Sequence, residues 1–204
     1  AGIAESLRQG RHPSHYRIYL HAAHEGEKVE VKIYCQSQRG LRNLLRIQKA
    51  VMVDAADATV PLPELLRRGE GNVLVFGKLS PYWMEKNLHA VKVRETFDNV
   101  FYQVDLSEYK AERLDAEVLK ATAHFFHTFY DERNDSFLVE PILIADCYYP
   151  DKDDARTKTV LNKIATGAAH AQSDDQYFKD IDEHYAAVRA LFDGGMVGHG
   201  CALR

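Results

Sequence analysis

Val73-Leu74-Val75-Phe76 is apolar at every position and too short for an ordinary helix. Such a run makes a strand covered on both faces, so the chain is committed to a central strand with material above and below it. The neighbouring segments supply the sheet. Ser14 to His21 alternates Tyr16, Ile18 and Leu20 with polar residues, and Lys28 to Cys35 alternates Val29, Val31, Ile33 and Cys35. That period of two gives each strand a dry and a wet face, with Lys28, Glu30, Lys32 and Tyr34 on the wet face of the second. The short Ala22 to Glu27 segment contains Gly26 and predicts a hairpin turn. Leu88 to Glu95 and Val100 to Leu106, joined through Thr96-Phe97-Asp98-Asn99, predict a second hairpin.

Between these strands the period changes to that of a helix. From Leu41 to Met52, the residues Leu41, Leu44, Leu45, Gln48, Val51 and Met52 share one side at 100° per residue, while Arg39, Arg42, Arg46 and Lys49 form an adjoining stripe. Asp54 to Thr59 reads as a loop, and Pro61 to Gly69 as a short helix with proline at its entry and glycine at its exit. Ser107 to Glu132 predicts a long helix whose Leu114, Val118, Ala121, Phe125, Phe126 and Phe129 cover the sheet. Ser136 to Tyr149 is extended, with Pro141 confining it to an edge or dividing it. A helix over Ala155 to Ala168 is expected to turn Val160, Leu161 and Ile164 inward. Ser173 and Gln176 then read as the capping box of a last helix that ends at Gly194-Gly195 and carries Phe178, Ile181, Tyr185, Val188 and Phe192 on one seam. The expected architecture is α+β: a mainly antiparallel sheet of two hairpins plus further strands under a long helix. Residues 1–150 form the α+β domain and 151–204 a helical C-terminal extension packed on the same core.

With 46% apolar and 27% charged residues in 204, the composition is that of a globular chain and not of a disordered one. Apolar runs of four residues fall far short of the ~20 that span a bilayer, so no membrane partner is expected. Cys35, Cys147 and Cys201 are odd in number and scattered. They imply neither a disulfide framework nor a zinc knuckle, which fits a cytoplasmic location. Cys35 and Cys147 both sit in apolar surroundings and read as buried, inert thiols.

Charge is unevenly spread. Residues 1–50 hold nine Lys/Arg against four Asp/Glu, a net +5, whereas 101–204 hold eleven against nineteen, a net −8. A basic start points to a polyanionic partner. Arg39, Arg42, Arg46 and Lys49, spaced three, four and three apart, align along one helix edge, a geometry that can track phosphates. Arg8, Arg11 and Arg17 precede them, and Tyr82 and Trp83 offer rings on which bases can stack.

Catalytic frames are missing from the same residues. His12/His15, His21/His24 and His124/His127 are spaced as pairs but lack the third ligand and base of a His-Glu-x-x-His string. Glu30-Val31-Lys32 is half of a nuclease-like motif without its upstream carboxylate, and Asp151-Lys152-Asp153-Asp154 lacks the glycine and distal glutamate of a calcium loop. Gly-x-Ser-x-Gly and the glycine-rich phosphate loops do not occur. No catalytic residue, metal or cofactor is assigned. The sequence therefore favours a non-enzymatic protein that binds a nucleic acid or nucleoprotein through its basic N-terminal third. Two alternatives stay open: a metal-dependent hydrolase whose histidines and carboxylates meet only in the fold, and an assembly subunit that forms a homo-oligomer or joins a complex through the last helix.

Overall fold

The computed structural model of the chain describes residues 17–54, 59–105, 116–144, 147–167 and 174–193. The elements are β1 (Arg17–His24), β2 (Glu27–Cys35), α1 (Gln38–Lys49), β3 (Thr59–Pro61), α2 (Leu62–Leu66), β4 (Asn72–Phe76), α3 (Pro81–Glu85), α4 (His89–Arg94), β5 (Asn99–Val104), α5 (Ala116–Phe129), β6 (Tyr130–Asp131), β7 (Ser136–Phe137), β8 (Glu140–Leu143), α6 (Ala155–Thr166) and α7 (Ile181–Asp193). The main sheet has the order β3-β1-β2-β4-β5-β8, and β6-β7 is a separate two-stranded ribbon. No helix among the described residues is long and apolar enough to cross a membrane. The chain divides into two compact units, one taking in the described parts of Ala1–Gln103 and Thr128–Pro141, the other those of Val104–His127 and Ile142–Arg204.

β4 is the central strand its composition demands: all five residues are buried, with β2 antiparallel on one side and β5 parallel on the other. The first hairpin is tighter than its sequence indicates. β1 runs on to His24, leaving only Glu25 (φ 51°) and Gly26 (φ 83°) as the turn. Two successive positive φ values match the right-handed twist of the strands they join. Val29, Val31, Ile33 and Cys35 are buried as alternation requires, and burial pushes the Cys35 thiol up. The opposite face of β2 is not wholly wet. Lys32 is only 7% exposed, donating to the Gln103 side chain and lying 3.7 Å from Glu30.

The second hairpin does not form. Leu88 to Glu95 is not a strand: α4 occupies most of it and buries His89, Ala90 and Val93 at helical spacing. β4 and β5 are then joined by a crossover through α3 and α4, which is what parallel neighbours need. Thr59–Pro61, expected at a loop end, instead pairs parallel with β1. The sheet is thus partly parallel as well as antiparallel.

α1 starts three residues earlier than its leucine pattern shows, because the Ser37 hydroxyl caps it by accepting from Gly40 N at 3.0 Å. Gly40, Leu41, Asn43, Leu44 and Ile47 face inward. Leu45, Gln48 and Met52 are exposed, contrary to expectation, since the inward stripe follows 40, 41, 44 and 47 and the backbone passes into a π-turn at Ala50–Asp54.

In the second unit α5 matches both its period and its burial, whereas α6 and α7 miss their burial. Over its described range α5 buries Val118, Ala121, Phe125 and Phe126; Leu114 lies outside the described residues. Val160, Leu161 and Ile164 of α6 are exposed. α7 opens later than expected, on a capping box between Asp180, whose Oδ1 accepts from Glu183 N at 2.8 Å, and Glu183, whose Oε2 accepts from Asp180 N at 3.2 Å. Ser173 lies outside the described residues. Phe178, Ile181 and Tyr185 are exposed, and the side chains of Val188 and Phe192 lie outside the described set. Ile142 and Leu143 are more than a third exposed, and Cys147 is exposed where a buried thiol was expected.

Candidate nucleic-acid interface

The outer edge of α1 is built by what its inner edge buries. The loop Gly69–Gly71 is fixed by four bonds, of which those from Asn43 and Gln36 hold it against the start of the helix. Asn43 Nδ2 donates to the Glu70 carbonyl at 2.9 Å, Gly71 N to Asp98 Oδ1 at 3.0 Å, and Asn72 N to the Gly69 carbonyl at 3.1 Å. Gln36 N donates to the Gly71 carbonyl at 2.9 Å. With that face locked, Arg39, Arg42, Leu45, Arg46 and Lys49 are left facing water.

The four cations are not equivalent. Arg39 meets Glu70 at 2.6 Å, both side chains more than half exposed, so the pair is screened by solvent and contributes at most about 1 kcal/mol. Arg42 and Arg46 are exposed and form no ion pair with any described residue. Lys49 continues their line. Arg46 and Lys49 lie in the last turn of the helix, where the partial negative charge of its C-terminus favours them. Arg42 to Lys49 spans about 10 Å at 1.5 Å per residue.

The other expected contacts fall into different places. Arg8 and Arg11 lie outside the described residues. Arg17 opens β1 opposite Tyr34, and its side chain lies outside the described set. Tyr82 is 55% exposed, but its neighbour Trp83 is only 6% exposed. The indole is held between Phe76, with ring centroids 6.1 Å apart, and His89, at 4.2 Å. A base could stack on Trp83 only if the ring left that setting.

Among the described residues the histidines gather no ligand set. No group of three or more His, Cys, Asp or Glu side chains among the described residues is arranged to hold a metal ion. His21 is exposed, and His24 lies 3.6 Å from Glu25 with its ring edge-on to His89 at 4.8 Å. His12 and His15 lie outside the described residues. Sequence reasoning missed two residues here. Glu70 engages the first cation of the stripe from 31 positions away, and nothing but the glycines on either side of it signals an exposed turn. His89 is fully buried in a segment whose spacing had read as strand. Comparison with protein-family models and with curated proteins finds no match to this chain.

Proposed function

We propose that this chain is a non-enzymatic nucleic-acid-binding protein that holds phosphates along the outer edge of α1. The observation that supports this reading most is the exposure of Arg42 and Arg46, one turn apart, with no described carboxylate against them. Together with Lys49 they cover about 10 Å, the length of about three phosphates of one duplex strand. The edge supplies exposed charge at phosphate spacing, so it favours binding that is sensitive to salt.

Titrating the protein into fluorescent single-stranded and duplex oligonucleotides tests this. Three phosphate contacts predict affinity that falls about 20–40-fold between ~50 and ~200 mM salt. Absence of binding to either form at ~50 mM salt would remove the reading.

The exposed Phe178, Ile181 and Tyr185 favour a second role, as an assembly subunit. Ile181 is 68% exposed, and a seam of this kind can dock another helix. Light scattering of the wild type and of Ile181→Asp decides it: an oligomer that the substitution dissolves supports the role, and a monomer in both speaks against it.

A further inference from the structure

His89 is 1% exposed, and its two ring nitrogens are treated differently. Nδ1 lies 3.0 Å from the Trp83 carbonyl, an acceptor, so the ring proton sits on Nδ1 and Nε2 carries a lone pair. Among the described residues, buried Nε2 has no hydrogen-bond partner, and neither has Nε1 of Trp83 beside it. A proton added to Nε2 would place a charge where no described group accepts it. The groups facing this ring come from every element around it. His24 at the end of β1 meets it edge-on at 4.8 Å. Glu25 of the hairpin turn, Lys92 of α4 and the Trp83 carbonyl of α3 complete the set. Burial does most to hold the ring neutral; His24 and Lys92 add to this, while the Trp83 carbonyl and Glu25 oppose it, and the ring stays below the ordinary histidine range.

The backbone immediately before His89 is strained. Asn87 (φ 52°, ψ 24°) and Leu88 (φ 56°, ψ 37°) are consecutive left-handed residues. Asparagine tolerates this conformation; leucine has no polar side chain to ease it. Leu88 is also exposed, so little packing of its own offsets the strain. What holds the segment down is the burial of Trp83, Met84, Ala90 and Val93, together with an exposed ion pair from Lys86 to Glu27 at 2.7 Å. Two strained residues, a buried imidazole with an orphaned nitrogen and a second imidazole against it therefore meet at one hinge.

We propose that His89 is an acid-sensitive latch whose protonation releases the segment Pro81–Arg94 from the sheet. In the closed form the imidazole is neutral. In the open form it meets water and recovers its ordinary affinity for a proton, near pH 6.5. The open form therefore binds more protons as the pH falls. The closed form is fully favoured above about pH 6.5 and loses ground below it, by up to about tenfold in the opening equilibrium per pH unit. Release would bare Trp83 and Phe76 to solvent.

Trp83 is the only tryptophan of the chain and reports on the event directly. Amide exchange of residues 81–94, corrected for its intrinsic pH dependence, and the emission maximum of Trp83 are to be followed from about pH 7.5 to about pH 5.5 in the full chain. The wild type is expected to show a red shift and up to about tenfold faster exchange in this segment, while β2 and β4 stay protected. His89→Asn keeps a donor for the Trp83 carbonyl and cannot titrate, so its exchange should be flat over this range. Leu88→Gly relieves the left-handed strain and should move the transition to lower pH, a readout that stands even if the His89 variant fails to fold. The proposal is overturned by a wild type that does not open, by an unchanged pH dependence in His89→Asn, by a transition in Leu88→Gly that stays put or rises, or by simultaneous loss of protection in β2 and β4.

Discussion

Gly40→Ala is expected to destabilise the chain by about 3 kcal/mol and to lower its melting temperature by about 6–12 °C. On intrinsic propensity the sign would be opposite, because alanine is favoured over glycine inside a helix by about 1 kcal/mol. Packing decides otherwise. A Cβ at position 40 would stand 1.8 Å from the Gly71 carbonyl oxygen, 2.5 Å from its carbon and 2.8 Å from Asn72 Oδ1. Two of those atoms are backbone and cannot rotate away. The Gly71 turn cannot yield either, since it has φ +79° and is tied to Asp98 and Gln36. Thermal and urea unfolding followed by circular dichroism check this, and an unchanged or raised midpoint would contradict the close approach of α1 to the loop. The effect also bears on function, because that contact determines which edge of α1 faces outward.

The second large effect is on binding. On the proposed reading, replacing Arg42 and Arg46 together by alanine removes two of three phosphate contacts, and the oligonucleotide affinity at ~50 mM salt is expected to fall about 70–200-fold. Stability should barely change. Both side chains are exposed and without ion pairs among the described residues, and such positions usually move stability by no more than about 0.5 kcal/mol. Arg39→Ala is the informative contrast: Glu70 already holds that guanidinium at 2.6 Å, so its loss costs less affinity than either neighbour. Retained melting temperature with lost affinity places the effect in the interface and not in the fold.

Much of the fold was legible wherever a pattern and its burial coincide. Val73–Phe76 is apolar throughout and became the central strand; Val29 to Cys35 alternates and put its apolar side inward. Errors arose where the deciding contact is distant or conformational. Leu88 to Glu95 offers apolar residues compatible with either period. The helix starts after a pair of left-handed residues and buries His89, Ala90 and Val93 at helical spacing, and a spacing rule detects neither the left-handed pair nor the burial of a histidine. In α6 and α7 the period identifies residues sharing a face, but a period carries no information on whether a face is covered; Ile164, Ile181 and Tyr185 are exposed. The candidate interface was read in part. Its helix and cations follow from spacing alone, whereas the engagement of Arg39 by Glu70 and the burial of Trp83 depend on tertiary contacts.

On the proposed reading, Arg42, Arg46 and Lys49 present charge that a phosphate backbone can neutralise. The most direct test is the slope of log affinity against log salt concentration for an oligonucleotide, measured for the wild type and for Arg42→Ala/Arg46→Ala. The slope of the double variant is expected to be shallower by about 1.4–1.8, the release of counterions from two phosphates. Equal slopes in the two proteins would contradict it, since the phosphates would then be held by other residues.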